Sequence, residues 1–211
     1  MNDRQIRNVV IVGGGTAGWM AAAGLAKSLE GMGIRIRLIE SGQIGSIGVG
    51  EATIPPLMDF IRQLGIAEDE LVRDVKATYK LGIGYRDWTR PGHFYFHPFG
   101  PTGPGIGSIP FPAYWLKMFL AGKAAPLEEY SIQAVAATQG RFTRPVHAPN
   151  TPLNKITYAL HFDASGFARY LRGYAEARGV QRTEGEVRRV SLRPQDGFIR
   201  SEEHTSELQS P

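Results

Sequence analysis

Cysteine is absent from all 211 residues, which excludes disulfide frameworks, thiolate metal sites and thiol nucleophiles together. Long apolar runs are missing too: none reaches the ~18 residues a membrane span requires. The N-terminus passes from a charged start directly into an apolar strand, without the apolar region of a secretory signal. Neither a membrane nor a metal is therefore expected as a partner, and a reducing, cytoplasmic setting is the default. Nor is there a surplus of one charge, because 24 basic residues face 20 acidic ones for a net +4 and the arginines are scattered, so nothing calls for nucleic acid. What remains is 42% apolar and 21% charged, the composition of an ordinary globular protein with enough chain for one large domain or two small ones.

Within that chain, Val9, Val10, Ile11 and Val12 run into Gly13-Gly14-Gly15-Thr16-Ala17-Gly18. Four consecutive apolar residues closed by glycine read as a central parallel strand covered on both faces. Gly13, Gly15 and Gly18 have the spacing in which one glycine makes a tight turn, one admits a pyrophosphate and one lets a helix pack against the strand. Ala17, Ala21, Leu25 and Leu29 recur every fourth position, so a helix begins here and offers its first N–H groups to an anion. A second strand, Ile34 to Ile39, ends in Glu40, 22 residues past Gly18. An acid at that distance is placed to hold the two hydroxyls of a ribose and to repel a 2′-phosphate. The residues thus point to an adenine dinucleotide, and leave FAD and NAD open.

Residues 41 to 56 carry four glycines between Gly42 and Gly50 together with Ile44, Ile47, Val49 and Ile54. A loop both glycine-rich and apolar is expected to cover a ligand. Pro55 and Pro56 open a helix with Leu57, Phe60, Ile61 and Leu64 on one stripe, stopped by Gly65. A further helix is expected from Ala67 to Lys80, with Leu71, Val75 and Thr78 or Tyr79 buried. On it Lys80 falls half a turn from Leu71, which fits a solvated lysine or one entering a tunnel.

From Pro91 to Pro112, six prolines and five glycines alternate with Phe94, Tyr95, Phe96, His97, Phe99 and Phe111. So many rings argue against disorder. The segment reads as an irregular cap, a pocket lining for a flat apolar substrate, or both. A helix around Ala113 to Leu120 and a less decipherable stretch to about Lys155 follow. Asp163-Ala164-Ser165 then caps a helix bearing Phe167, Tyr170, Leu171 and Tyr174 and ended by Gly179. Strands at Val180 to Thr183 and Glu186 to Leu192 lead into Asp196-Gly197, a hairpin signal. Such an order returns the chain to the first sheet and makes residues 91–154 an insertion.

Three stretches resemble the flavin-dependent halogenases typified by tryptophan halogenases: Gly13 to Trp19 with Met20, Gly48-Val49-Gly50-Glu51-Ala52-Thr53-Ile54-Pro55, and Ala77-Thr78-Tyr79-Lys80-Leu81-Gly82-Ile83. His97-Pro98-Phe99-Gly100 and Tyr158 to Val187 extend the likeness over nearly all of residues 5–199. The resemblance implies an α/β fold, a Rossmann-like FAD-binding domain with a parallel sheet, a hairpin or meander and helices, interrupted by the aromatic-rich insertion and truncated at its C-terminus. Its core is residues 1–90 and 155–199. It also implies a chemistry in which reduced FAD (FADH2), O2 and chloride or bromide yield hypohalous acid, which halogenates an electron-rich aromatic such as tryptophan or another indole. Lys80 takes the position of the catalytic lysine, able to act as ammonium or as amine. Gly13, Gly15, Thr16, Ala17, Gly18, Glu40, Ser41, Val49, Ala52 and Val187 fall at cofactor-binding positions, with Gly48 to Pro55 as a strap over the flavin. His97 and Phe99 fall beside the substrate. A separate NADH-dependent flavin reductase is the implied partner, and the family is compatible with a homodimer.

The family is commonly much longer, and its second catalytic acid and halide-binding backbone are expected beyond this chain. Arg200 to Ser210 continues no strand pattern and resembles a translated sequencing adapter, so residues 200–211 are expected to be an artefactual tail and the chain an N-terminal fragment. Two other readings fit the residues: an FAD-dependent aromatic monooxygenase or hydroxylase that draws hydride from NAD(P)H itself, and, for the fragment alone, a catalytically incomplete FAD-binding piece.

Overall fold

The computed structural model describes residues 6–42, 50–149, 151–187 and 189–199. They form two compact units, one from the described parts of 1–50 and 163–211, the other from Glu51–Phe162. Among the described residues no helix is long and apolar enough to cross a membrane.

In the first unit β1 (Asn8–Val12) lies parallel to β2 (Arg35–Glu40), with Asn8 opposite Arg35 and Val12 opposite Ile39. On the far side of β2 runs β8 (Gln181–Glu184), also parallel, pairing Arg37 with Gln181 and Glu40 with Glu184. Parallel neighbours need crossover connections, and α1 (Thr16–Ser28) supplies the first. Its Ala22, Ala23 and Ala26 are buried and carry little bulk, so α6 (Ala164–Glu176) packs against it, presenting Ala164, Phe167, Leu171 and Ala175. The Asp163 carboxylate accepts the Ser165 N–H at 3.0 Å, capping α6 as the sequence predicts.

Two expectations for this unit are corrected. β1 is the edge of the three described strands, not a covered central one, and Val10 and Val12 are 57% and 64% exposed. A run apolar on both faces reports that cover is needed, not which residues provide it. The strand expected over Glu186–Leu192 also does not form among the described residues there. Its turn does: Gly197, at φ 72°, donates to Arg193 O, and a bridge joins Leu192 to Ile199. Val187 and Val190 stand three positions apart and so fall on opposite faces of any strand, which leaves neither face a continuous apolar row.

In the second unit β3 (Gly50–Ala52), β7 (Ala159–Asp163) and β4 (Thr78–Lys80) form a sheet in that order. The stretch expected to be loop throughout therefore contains strand at its end; Gln43 to Val49 lie outside the described residues. α2 (Pro56–Leu64) starts at the proline pair and stops at Gly65, φ 72°, burying Leu57, Met58, Ile61 and Leu64. α3 (Glu68–Asp74) begins on three acids that suit its positive end but stops six residues short of Lys80. Lys76, at φ 51°, ends it, with Lys76 N–H on Arg73 O and Ala77 N–H on Val72 O. Thr78 and Tyr79, better strand than helix residues, then pair with His161 and Leu160 of β7.

β5 (Gly82–Arg86) and β6 (Phe94–Pro98) make an antiparallel hairpin in which Ile83 faces His97 and Tyr85 faces Tyr95. Part of the segment read as irregular is thus a strand. α4 (Phe111–Leu120) covers the expected helix, and the stretch left undeciphered holds α5 (Ile132–Thr138), capped by Ser131 Oγ accepting from Ala134 N–H.

Candidate functional site

The glycine turn after β1 has the geometry that its spacing predicts. Gly13 sits at φ 106°, a conformation costly for any L side chain, and its N–H is held by Ile39 O at 2.8 Å. A Cβ on Gly18 would lie 1.9 Å from Gly13 O, so α1 approaches the turn as closely as it does because residue 18 is glycine. Gly15 is the N-cap residue, Thr16 and Ala17 open the helix, no side chain caps its first N–H groups, and no acid occupies the first turn. Four N–H groups at a helix start without a capping oxygen favour an anion. These residues fit the pyrophosphate of a dinucleotide. Thr16 Oγ1 donates to Ala164 O at 3.4 Å, tying the turn to α6.

Glu40 ends β2 beside this turn, as expected, but its carboxylate is already occupied. Oε1 accepts from Arg182 Nε at 2.5 Å and lies 3.7 Å from Arg172, while Oε2 accepts from Trp19 Nε1 at 3.4 Å. Arg182 also bonds Glu184, whose other contact is the Gly42 N–H at 2.6 Å. That N–H, then the arginine, holds the Glu184 carboxyl below its ordinary range. A ribose hydroxyl pair reaching Glu40 would meet a charge-balanced cluster. Sequence reasoning missed both arginines; the available signal was their basic character on elements facing the strand-end acid. Ser41 follows Glu40 half-buried, Val187 lies past β8 at 41% exposure, and Val49 falls outside the described residues.

The second unit holds Lys80 and the predicted substrate-side residues. Lys80 is 7% exposed, which decides between the solvated and the enclosed lysine that periodicity left open, and it ends a strand rather than a helix, where alternation turns it away from the face of Tyr79. Its Nζ donates to Thr53 O at 2.9 Å and lies 5.4 Å from the Phe99 ring centroid. Phe99 is itself fixed, its N–H donating to Leu81 O at 2.9 Å. Burial pushes the ammonium below the ordinary lysine range, raising the fraction of free amine. His161, on β7, lines a cavity of about 330 Å³ together with Lys80, Phe96, Arg141 and Phe142. Desolvation, and secondly the Lys80 charge, hold its imidazole below the usual histidine range.

His97 and Phe99 line one larger cavity, about 850 Å³, with Tyr95, Trp115, Phe119 and Glu128. The structure therefore brings together the two residues placed beside the substrate and links one of them to Lys80. Ala52 ends β3, the strand that leads to Thr53. An aromatic cavity next to a desolvated amine can hold a flat ring and present a nucleophile or hydrogen-bond donor close by.

A protein-family model described as tryptophan halogenase matches residues 8–209. This chain belongs to the tryptophan halogenase family. It is 35% identical over 213 residues to the tryptophan 6-halogenase SttH of Streptomyces toxytricini, covering 91% of this chain and 40% of that protein. To the tryptophan 7-halogenase RebH of Lentzea aerocolonigenes it is 38% identical over 216 residues, covering 93% and 39%. Among solved structures it superposes on BrvH, a flavin-dependent halogenase from Brevundimonas sp. BAL3, with a TM-score of 0.81 and 48% identity over 94% of this chain and 39% of that one. The mixed α/β fold with its parallel sheet is thus that of flavin-dependent halogenases. The chain spans about 40% of the length of the curated relatives it matches.

Proposed function

We propose that this tryptophan halogenase family chain carries the cofactor cradle and the reactive lysine of an enzyme that chlorinates or brominates an electron-rich aromatic, tryptophan or another indole. The observation that carries the reading is Lys80: a lysine buried to 7% exposure, held by a backbone carbonyl and facing a ring of the aromatic cavity. FAD is the proposed cofactor, delivered reduced by a separate NADH-dependent reductase; when bound it supplies the two electrons that turn O2 and chloride or bromide into hypohalous acid.

The protein's own residues do the rest. Gly13, Gly15, Thr16, Ala17 and Gly18 would seat the pyrophosphate, Glu40 and Ser41 the ribose side, and Val49, Ala52 and Val187 apolar or backbone contacts. Lys80 would hold the oxidised halogen, as ammonium by hydrogen bonding to its oxygen or as amine by taking the halogen onto nitrogen while the hypohalous hydroxyl leaves with an amine proton as water. Burial favours the second form. His97 and Phe99 would present the aromatic ring. The chain by itself is proposed to bind FAD without turnover, since a catalytic site needs more than one reacting group.

Two measurements test this. Titration with FAD should give saturable binding by the 211-residue chain. A polypeptide extended to the length of the relatives should halogenate tryptophan or indole when given FAD, NADH, halide and a flavin reductase. Oxidation of NADH without the reductase, with hydroxylated product, would favour the self-reducing monooxygenase and overturn the proposal.

A further inference from the structure

Thr53 follows β3 and makes three hydrogen bonds to one residue of β7, Leu160. Its N–H donates to Leu160 O at 3.1 Å, its hydroxyl donates to the same oxygen at 2.8 Å, and that hydroxyl accepts the Leu160 N–H at 3.1 Å. Leu160 is itself fully buried, so the anchor is rigid. β7 also fixes the lysine, because in the antiparallel ladder Tyr79 faces Leu160 and Lys80 faces Ala159. One strand thus sets both ends of the 2.9 Å bond from Lys80 Nζ to Thr53 O. A lysine side chain has four rotatable bonds, and holding its end in one place needs an acceptor that does not itself move. The nature of the acceptor also matters. A carboxylate would bind the ammonium and oppose its deprotonation, whereas a neutral carbonyl orients the nitrogen without adding a negative charge.

We propose that Thr53 is a positioning residue for Lys80: its hydroxyl locks the Thr53 peptide to β7, and the carbonyl fixed in this way aims the lysine nitrogen. The inference rests on reading Lys80 as the residue that handles oxidised halogen, but its central test does not depend on turnover. Thr53→Val keeps the shape and removes the hydroxyl; Thr53→Ser keeps the hydroxyl.

In the 211-residue chain, the acetylation rate of each lysine by dilute acetic anhydride, read by peptide mass spectrometry, reports how firmly its nitrogen is held, with exposed Lys117 as the internal reference. Thr53→Val is expected to raise the Lys80 rate relative to Lys117 by about tenfold, the scale of losing one hydrogen bond to a charged group. Thr53→Ser should restore the original rate. Val75→Ala, which opens the same unit's core and removes none of these hydrogen bonds, should leave it unchanged. An unchanged Lys80 rate in Thr53→Val, failure of Thr53→Ser to restore it, or an equal rise in Val75→Ala would each overturn the proposal. In a polypeptide extended to the length of the relatives, Thr53→Val should lower kcat with little change in KM. If Lys80 is freed while halogenation is fully retained, the clamp stands and the catalytic reading of Lys80 falls.

Discussion

The nitrogen of Lys80 lies 2.9 Å from the carbonyl oxygen of Thr53 and 5.4 Å from the ring centre of Phe99, so one amine touches both the residue that follows β3 and the wall of the aromatic cavity. Lys80→Met, which keeps the stem and removes the charge, should reduce the proposed halogenation by a polypeptide extended to the length of the relatives at least a hundredfold, the scale for losing a positioned proton donor or nucleophile. FAD affinity, measured by fluorescence titration, should be unchanged. Lys80→Arg should not rescue, because a guanidinium neither deprotonates nor accepts halogen.

Gly18 tests the cradle. Alanine there would place a methyl 1.9 Å from Gly13 O, so either the helix or the turn must move. Gly18→Ala is expected to weaken FAD binding strongly and to destabilise the fold by roughly 1–3 kcal/mol, the range for overpacking. FAD titration and urea unfolding measure the two effects separately. Tight FAD binding in this variant would remove the turn from the cofactor site.

His161 provides a pH test whose sign is fixed by its neighbours. Its imidazole is held below 6.5 by desolvation and by Lys80, so the folded protein resists protonation more than the unfolded chain does. The associated stability is present above pH ~6.5 and is lost as the pH falls through the lowered folded value. Lys80→Met removes the positive charge and should move the His161 titration upward, followed by ring nitrogen shifts in NMR. A downward move would show that the two groups do not share the cavity.

The helix pair of the first unit should be its energetic centre. Phe167 and Leu171 are fully buried where α6 meets α1. Leu171→Ala should cost about 2–5 kcal/mol in urea unfolding, and Asp163→Ala about 1 kcal/mol through loss of the cap. Asp163→Ser should recover most of the latter.

How much of this was readable without coordinates differs from residue to residue. The glycine turn, the α2 boundaries and the Asp163 cap are local: each follows from a conformational limit or hydrogen bond within a few positions, so the sequence pattern and the structure agree. Lys80 was misplaced because the 3.6-residue periodicity of α3 carried on through Lys76, and nothing nearby showed that β7, some eighty positions later, would take Thr78–Lys80 as a strand. Family likeness, not periodicity, drew attention to that lysine. Arg182 went unremarked, and Thr53 was noted only as one residue of its glycine-rich stretch, for the same reason. Their importance comes from partners 142 and 107 positions away, and composition records none of that distance.

The pairing of β2 with β8 joins Glu40 to Glu184, while the whole of Glu51–Phe162 forms a unit of its own from one uninterrupted stretch. On a ribosome the central stretch can therefore finish folding while the amino-terminal strands still wait for β8 to emerge. Closing so large a loop is slow. Until that happens, the edge of β2 that β8 will cover stays open to any other strand.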